Sequence, residues 1–341
     1  MVQFTRLMDT TDAKVLPAPP SLMRALTAGF DAISNHISLI LFSIALDILL
    51  WLGPHFRLTQ LVQSIFKQSA AFPELNTPEM SEMMRASREM WLVMAERFNL
   101  FSFLRAYPVG VPSLMVSRSP LDIPGGSPPF WEATSFGIVI ALFVLLSLTG
   151  LAVGTYYFDV VSDAVIEGNI YWVGSLKDWP WTATQVFLLT LLFIGILLLV
   201  SIPFSCLLSL FLVAGFGLSQ FSILIFGGLL AWLLMPLFFS PHGIFVKRMN
   251  MWRSVKKSVR LIRVTLPTTG LFFLVLLLLS EGLDLLWSVP PETSWLTLVG
   301  VAGHAFVTSG LLASSFVYYR DADRWLEKII QQTKLTSSTE S

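Results

Sequence analysis

Apolar residues gather into six long blocks, about 37–53, 133–158, 184–213, 221–246, 266–288 and 295–319. A bilayer core is about 30 Å thick and takes roughly 20 apolar residues to cross as a helix. The blocks show no two-residue alternation and are far longer than barrel strands, so helices are predicted. Residues 179–246 contain no Asp, Glu, Lys or Arg at all. That stretch is too long for one span and predicts a hairpin. Its turn is expected at 214–220, where Gly215 and Gly217 interrupt the pattern. The fold class expected is all-α: a polytopic membrane protein of six spans in three hairpins.

Three amphipathic stretches precede the hairpins, at 22–34, 164–181 and 252–264. Aligning them puts Arg24 over Arg253, Phe30 over Val259, Ile33 over Ile262 and Trp172 over Trp252. The repeat this suggests is weak: an interfacial helix followed by a membrane hairpin, used three times. In the third copy Val255, Val259, Ile262 and Leu266 take one side. Arg253, Lys256, Lys257, Arg260 and Arg263 take the other and are expected to face lipid headgroups. Each base near an anionic surface contributes about 1 kcal/mol. The same bases also serve to set topology, or to pair with the acidic segment 159–178.

The first hairpin carries an insertion, 54–132, with seven bases and seven acids. Leu58, Leu61, Val62, Ile65 and Phe66 keep helical spacing. Thr77-Pro78 suits a helix start, and Met80, Met83, Met84, Trp91, Met94 and Phe98 then form one apolar face. Pro108, Pro112, Pro120, Pro124, Pro128 and Pro129, with Gly125-Gly126, stop any long helix afterwards. The expectation is a small helical cap with an irregular return strap lying on the outer face.

Charge orients these elements. Lys247, Arg248, Arg253, Lys256, Lys257, Arg260 and Arg263 form a basic run without one acid, which is retained on the cytoplasmic side. The loop 281–293 then faces outward with Glu281, Asp284 and Glu292. Both termini face the cytoplasm of a plasma (inner) membrane protein. The acidic loop 159–182 opposes this orientation, but acids weigh little in it. The expected organisation is an N-terminal segment 1–36, span 37–53, extracytoplasmic cap 54–132, five further spans within 133–319 with cytoplasmic loops 159–182 and 247–264, and a tail 320–341. The apolar run at 37–53 starts too late for a cleavable signal and is expected to stay as an anchor.

Composition agrees with this class. Of 341 residues, 54% are hydrophobic and 13% charged, against about 25% charged in soluble proteins. Net charge is zero, which removes any global attraction to nucleic acid. The single Cys206 forms no intrachain disulfide.

Candidate chemistry is sparse. Asp47, Glu281, Asp284 and His304 all fall in the outer half of the predicted spans. Ionisable groups there are expensive and usually face the bundle interior. They form either a structural hydrogen-bond network or a proton- or cation-handling cluster. Pro203 and Pro236 are placed to kink spans three and four. Gly303, Ser309, Gly310, Ala313 and Ser314 suit close packing of span six. The methionines at 80, 83, 84, 90 and 94 suit gap filling more than copper. His36, His55 and His242 lack metal-ligand spacing, and no catalytic motif is present. No metal or cofactor is expected.

The unit Met251-Trp-Arg-Ser-Val-Lys-Lys-Ser-Val-Arg-Leu-Ile-Arg263 leading into a span resembles a pattern in uncharacterised bacterial six-span proteins. It is similar to the membrane domain attached to some bacterial glycerophosphodiester phosphodiesterases. The likeness covers the six spans loosely and excludes 54–132. It implies a membrane scaffold without its own catalysis, with the bilayer, anionic headgroups and a membrane protein as partners. The alternative is a small secondary transporter using Asp47, Glu281 and His304.

Overall fold

The computed structural model describes residues 19–69, 78–213 and 220–339. The expected turn at 214–220 lies outside the described residues except for Gln220, and so do Thr77 and the side chains of Met80 and Met83. Eleven helices are described, in the order α1 (Leu22–Asn35), α2 (Leu41–Leu52), α3 (Thr59–Ser69), α4 (Pro78–Arg97), α5 (Met115–Arg118), α6 (Phe136–Ile166), α7 (Trp172–Val213), α8 (Gln220–Leu234), α9 (Ser240–Lys247), α10 (Met251–Trp287) and α11 (Thr297–Thr339). Five helical stretches are long and apolar enough to cross a membrane, or six if the pair α1 and α2, bent by 91°, counts as one. The fold is all-α, and its five or six candidate spans are consistent with a polytopic protein.

The core forms around α11. In its apolar window 61% of residues are buried, against 11–28% in the other four, so α11 is the central helix and the others ring it. Its small residues permit close contact, as their type predicts. A Cβ on Gly310 would stand 2.6 Å from the Phe30 ring, and one on Gly303 2.6 Å from the Trp287 ring. Ser309 accepts a hydrogen bond from the Tyr157 hydroxyl at 2.9 Å. Phe272 stacks flat on Tyr318 with ring centroids 4.2 Å apart.

Four boundaries differ from the sequence pattern. The stretch 164–181 does not form a separate interfacial helix: α6 runs on to Ile166 and α7 begins at Trp172. Asp159 and Asp163 are therefore helical; Asp163 accepts from Ser175 across the short turn at 2.7 Å, and Asp159 pairs with Arg248 after α9. The stretch 22–34 is helical, but it buries Ala25, Gly29 and Ile33 against the protein. A Cβ on Gly29 would lie 2.3 Å from the Ser314 backbone nitrogen, so α1 docks on α11. The basic stretch joins its span as α10, with non-helical geometry only at Thr265, two residues before Pro267. Its buried stripe is Met251, Ser254, Ser258, Leu261, Ile262 and Thr265, while Leu266 is exposed. The serines decide this face: Ser254 Oγ donates to the Ser240 carbonyl and Ser258 Oγ to the Pro236 carbonyl at 2.8 Å. They bond carbonyls at the junction of α8 and α9, where Pro236 and Pro241 interrupt the helix.

The segment 54–132 is also not purely helical. Its two ends pair as parallel strands, β1 (His55–Arg57) with β2 (Phe130–Glu132), His55 facing Phe130. The staple lets the chain leave and re-enter the bundle side by side. Between them, α3 and α4 form a helical pair, and α4 leaves Met90, Trp91, Val93 and Met94 exposed.

Candidate functional site

The return strap is not a surface feature. Residues 99–119 enter the bundle between α2 and α6, and Val109, Val111, Leu114 and Met115 are fully enclosed. Two glycines of α6 make room. A Cβ on Gly150 would meet the Leu104 carbonyl oxygen at 2.2 Å, and one on Gly154 would meet Gly110 Cα at 2.6 Å. Prolines 108 and 112 keep this segment non-helical. Irregular backbone at membrane depth is tolerated only when buried in protein or lining a cavity, and here it does both.

Several of the strap's polar groups are held by specific hydrogen bonds. Asn99 Oδ1 accepts from Phe56 N at 3.0 Å and from Phe101 N at 3.2 Å, which fixes the entry turn. Asp47 Oδ1 accepts from Met115 N at 3.0 Å and from the Ser113 hydroxyl. Arg105 donates to the Ser113 carbonyl at 3.2 Å and lies over the Tyr107 ring. At the far end Arg118 donates to the Pro290 carbonyl at 2.7 Å. Glu292 latches the same end, its carboxylate accepting from Leu121 N at 3.3 Å and its carbonyl from the Trp51 indole at 2.9 Å.

The strap forms one wall of a cavity of about 670 Å³. The remaining walls come from α6, α7, α8, α9, α10 and α11. The lining is mainly apolar, with Arg105 as its one cationic group and His242 as a second nitrogen-bearing side chain. His242 is buried deep in it and shares a 2.7 Å hydrogen bond with Ser315. Tyr107 and Leu277 line the same space yet are strongly exposed, so they mark a mouth on the bundle's flank.

The four candidate acids and histidine are not one cluster. His304 and Asp284 face each other, Nε2 to Oδ1 3.9 Å, with the imidazole buried and without a hydrogen bond among the described residues. Asp47 is committed to the strap. Glu281 is exposed on α10, one helical turn from the half-buried Asp284. Arg105 lies within electrostatic range of Asp47, Asp284 and His304 and is the group that relates them. Sequence reading missed it. Its setting among prolines was the available signal.

The basic end is organised differently. Lys247 and Lys257 converge on Asp323, which is 2% exposed, and both also reach Glu327. Lys257 is thus turned inward by a buried carboxylate and does not face outward with its four neighbours. Arg248, held in a left-handed conformation after α9, pairs with Asp159 at 2.6 Å and Asp178 at 3.8 Å. Arg253, Lys256, Arg260 and Arg263 are exposed and make no ion pair among the described residues. Lys256, Arg260 and Arg263 line a groove floored by Val255 and Val259. Among the described residues no group of acids, histidines and cysteine has metal-binding geometry. No family model matches the chain, and no curated protein or solved structure is similar to it.

Proposed function

We propose that this is a non-enzymatic, lipid-associated scaffold of the plasma membrane, with six spans in three hairpins and both termini in the cytoplasm. The observation that carries the reading is the row of bases Lys256, Arg260 and Arg263, without an ion pair among the described residues, over the apolar groove of Val255 and Val259. Bases over apolar side chains suit a headgroup layer, with the valines toward acyl chains. The inward bases Lys247, Arg248 and Lys257 fasten α9 and α10 to α11, α6 and α7. Division of one basic run into fasteners and headgroup contacts is what a scaffold held at a leaflet requires. On this reading the exposed α4 face, Met90 to Met94, lies on the outer side as the surface for a membrane protein partner.

Cysteine labelling tests the orientation. In a Cys206→Ser background, Lys256→Cys and Ser127→Cys occupy exposed positions at opposite ends. A membrane-impermeant maleimide should label Ser127→Cys in intact cells and Lys256→Cys only after lysis. Labelling of Lys256→Cys in intact cells overturns the orientation and the headgroup assignment together.

The transporter reading draws on the buried His304–Asp284 pair. It needs Asp47 as a coupling group, and Asp47 is occupied by the strap. The scaffold reading leaves all three in structural use.

A further inference from the structure

We propose that the strap-walled cavity binds a single-chain amphiphile with an anionic headgroup, carboxylate or phosphate, the headgroup on Arg105 and the chain among α8, α10 and α11. The cavity's volume of about 670 Å³ lies within the ~300–1,000 Å³ range of sites that enclose one small ligand. Its walls supply the apolar surface a hydrocarbon chain needs. Arg105 supplies the complement to a headgroup. Its guanidinium carries five donors in a planar fork suited to carboxylate or phosphate. Only one hydrogen bond, to the Ser113 carbonyl, and no ion pair engage it among the described residues. A cation left so at membrane depth is costly and calls for an opposite charge. The carboxylate of Asp47 makes no ion pair with Arg105 among the described residues; its Oδ1 accepts from Ser113 and Met115. Asp284 faces His304 instead.

Access matches the same ligand. Tyr107 and Leu277 place the mouth on the flank of the bundle, where a lipid enters sideways from the bilayer. His242 and Ser315 close the far end with a hydrogen bond made to each other. This inference shares with the proposed scaffold only its place in a membrane, and the labelling experiment stands or falls separately.

The test uses the full chain in a neutral detergent, with thermal unfolding followed by tryptophan fluorescence. Four probes are titrated: a long-chain fatty acid, a lysophosphatidic acid, a monoacylglycerol of the same chain, and inorganic phosphate. Both anionic amphiphiles should raise the midpoint, the monoacylglycerol should bind at least tenfold more weakly, and phosphate should have no effect. Arg105→Gln should weaken the anionic amphiphiles at least tenfold and leave the monoacylglycerol unchanged. Leu312→Trp, which fills the cavity, should remove binding of all three. Equal binding of neutral and anionic amphiphiles overturns the proposal, and that comparison uses the unaltered chain whether or not a variant folds. Stabilisation by phosphate alone points to a free anion and overturns it too. So does binding that survives Arg105→Gln but is lost in Arg260→Gln, which puts the anion on the basic groove.

Discussion

At the scale of single residues, Asp47 shows how little a sequence position says about role. Its depth in span one was legible from the distance to Gly53. Its partners were not, because Ser113 and Met115 lie more than sixty residues away on a segment whose prolines read as surface. Asp47→Ala should strand the Ser113 hydroxyl and the Met115 N–H, at a cost of about 2–4 kcal/mol by the usual price of buried unpaired donors. Asp47→Asn keeps the accepting oxygen and should cost less, about 1 kcal/mol. Thermal unfolding in detergent separates the two. Equal losses would show that charge, not acceptance, matters there. His55 offers a pH-dependent case. Burial lowers its pKa below the ordinary 6.5, and its Nε2 bonds to the Leu50 carbonyl at 3.0 Å. The unfolded chain then binds more protons than the folded one as pH falls, so stability drops on acidification below about 6.5. His55→Gln, which retains a donor for Leu50, should flatten that limb of a stability–pH curve and leave the region above pH 7 unchanged.

At the scale of elements, helix glycines divide by what faces them. Gly154 admits the strap backbone, with Gly110 Cα 2.6 Å from where a Cβ would stand. Gly154→Val should push the strap out, costing about 1–3 kcal/mol by the usual scale of overpacking, and open the cavity wall. Gly195 in α7 has nothing within 4 Å, so Gly195→Ala should stabilise the helix by about 1 kcal/mol. Both changes are read in one melting experiment, with limited proteolysis at the strap as the second measure. A strap as protected in Gly154→Val as in the natural chain would show that α6 yields instead. The same contrast explains what periodicity conveyed. Apolar runs marked where the long helices lie, and Pro236 marked one break, but α7, α10 and α11 extend 12 to 20 residues beyond their apolar blocks and α7 continues through Pro203, where a kink was expected. Runs of hydrophobic residues do not say which glycine meets backbone and which meets lipid, and so the strap's depth was hidden. The face of α10 was misassigned for a related reason. Ser254 and Ser258 are drawn inward by the Ser240 and Pro236 carbonyls, which leaves Val255 and Val259 half-buried.

At the scale of the whole molecule, the basic run does two jobs that composition alone does not separate. Lys247 and Lys257 meet at Asp323, and Arg248 bridges Asp159 and Asp178, so three bases bind helices together. Asp323→Ala leaves two lysines facing each other with only the exposed Glu327 as partner. It should therefore destabilise more than Lys257→Ala, by up to about 3 kcal/mol since both lysines stay partly wet. Replacing Arg253, Lys256, Arg260 and Arg263 by Gln touches none of these pairs. Folding in detergent should be nearly unchanged. Orientation should not be, because positive charge flanking the spans is what retains a loop in the cytoplasm. The three remaining bases are already matched by Asp159, Asp178, Asp323 and Glu327. A mixed population is expected, with part of the chains labelled at Ser127→Cys only after lysis. Uniform labelling in intact cells would mean that the paired bases suffice to set topology, and that the unpaired four serve headgroups alone.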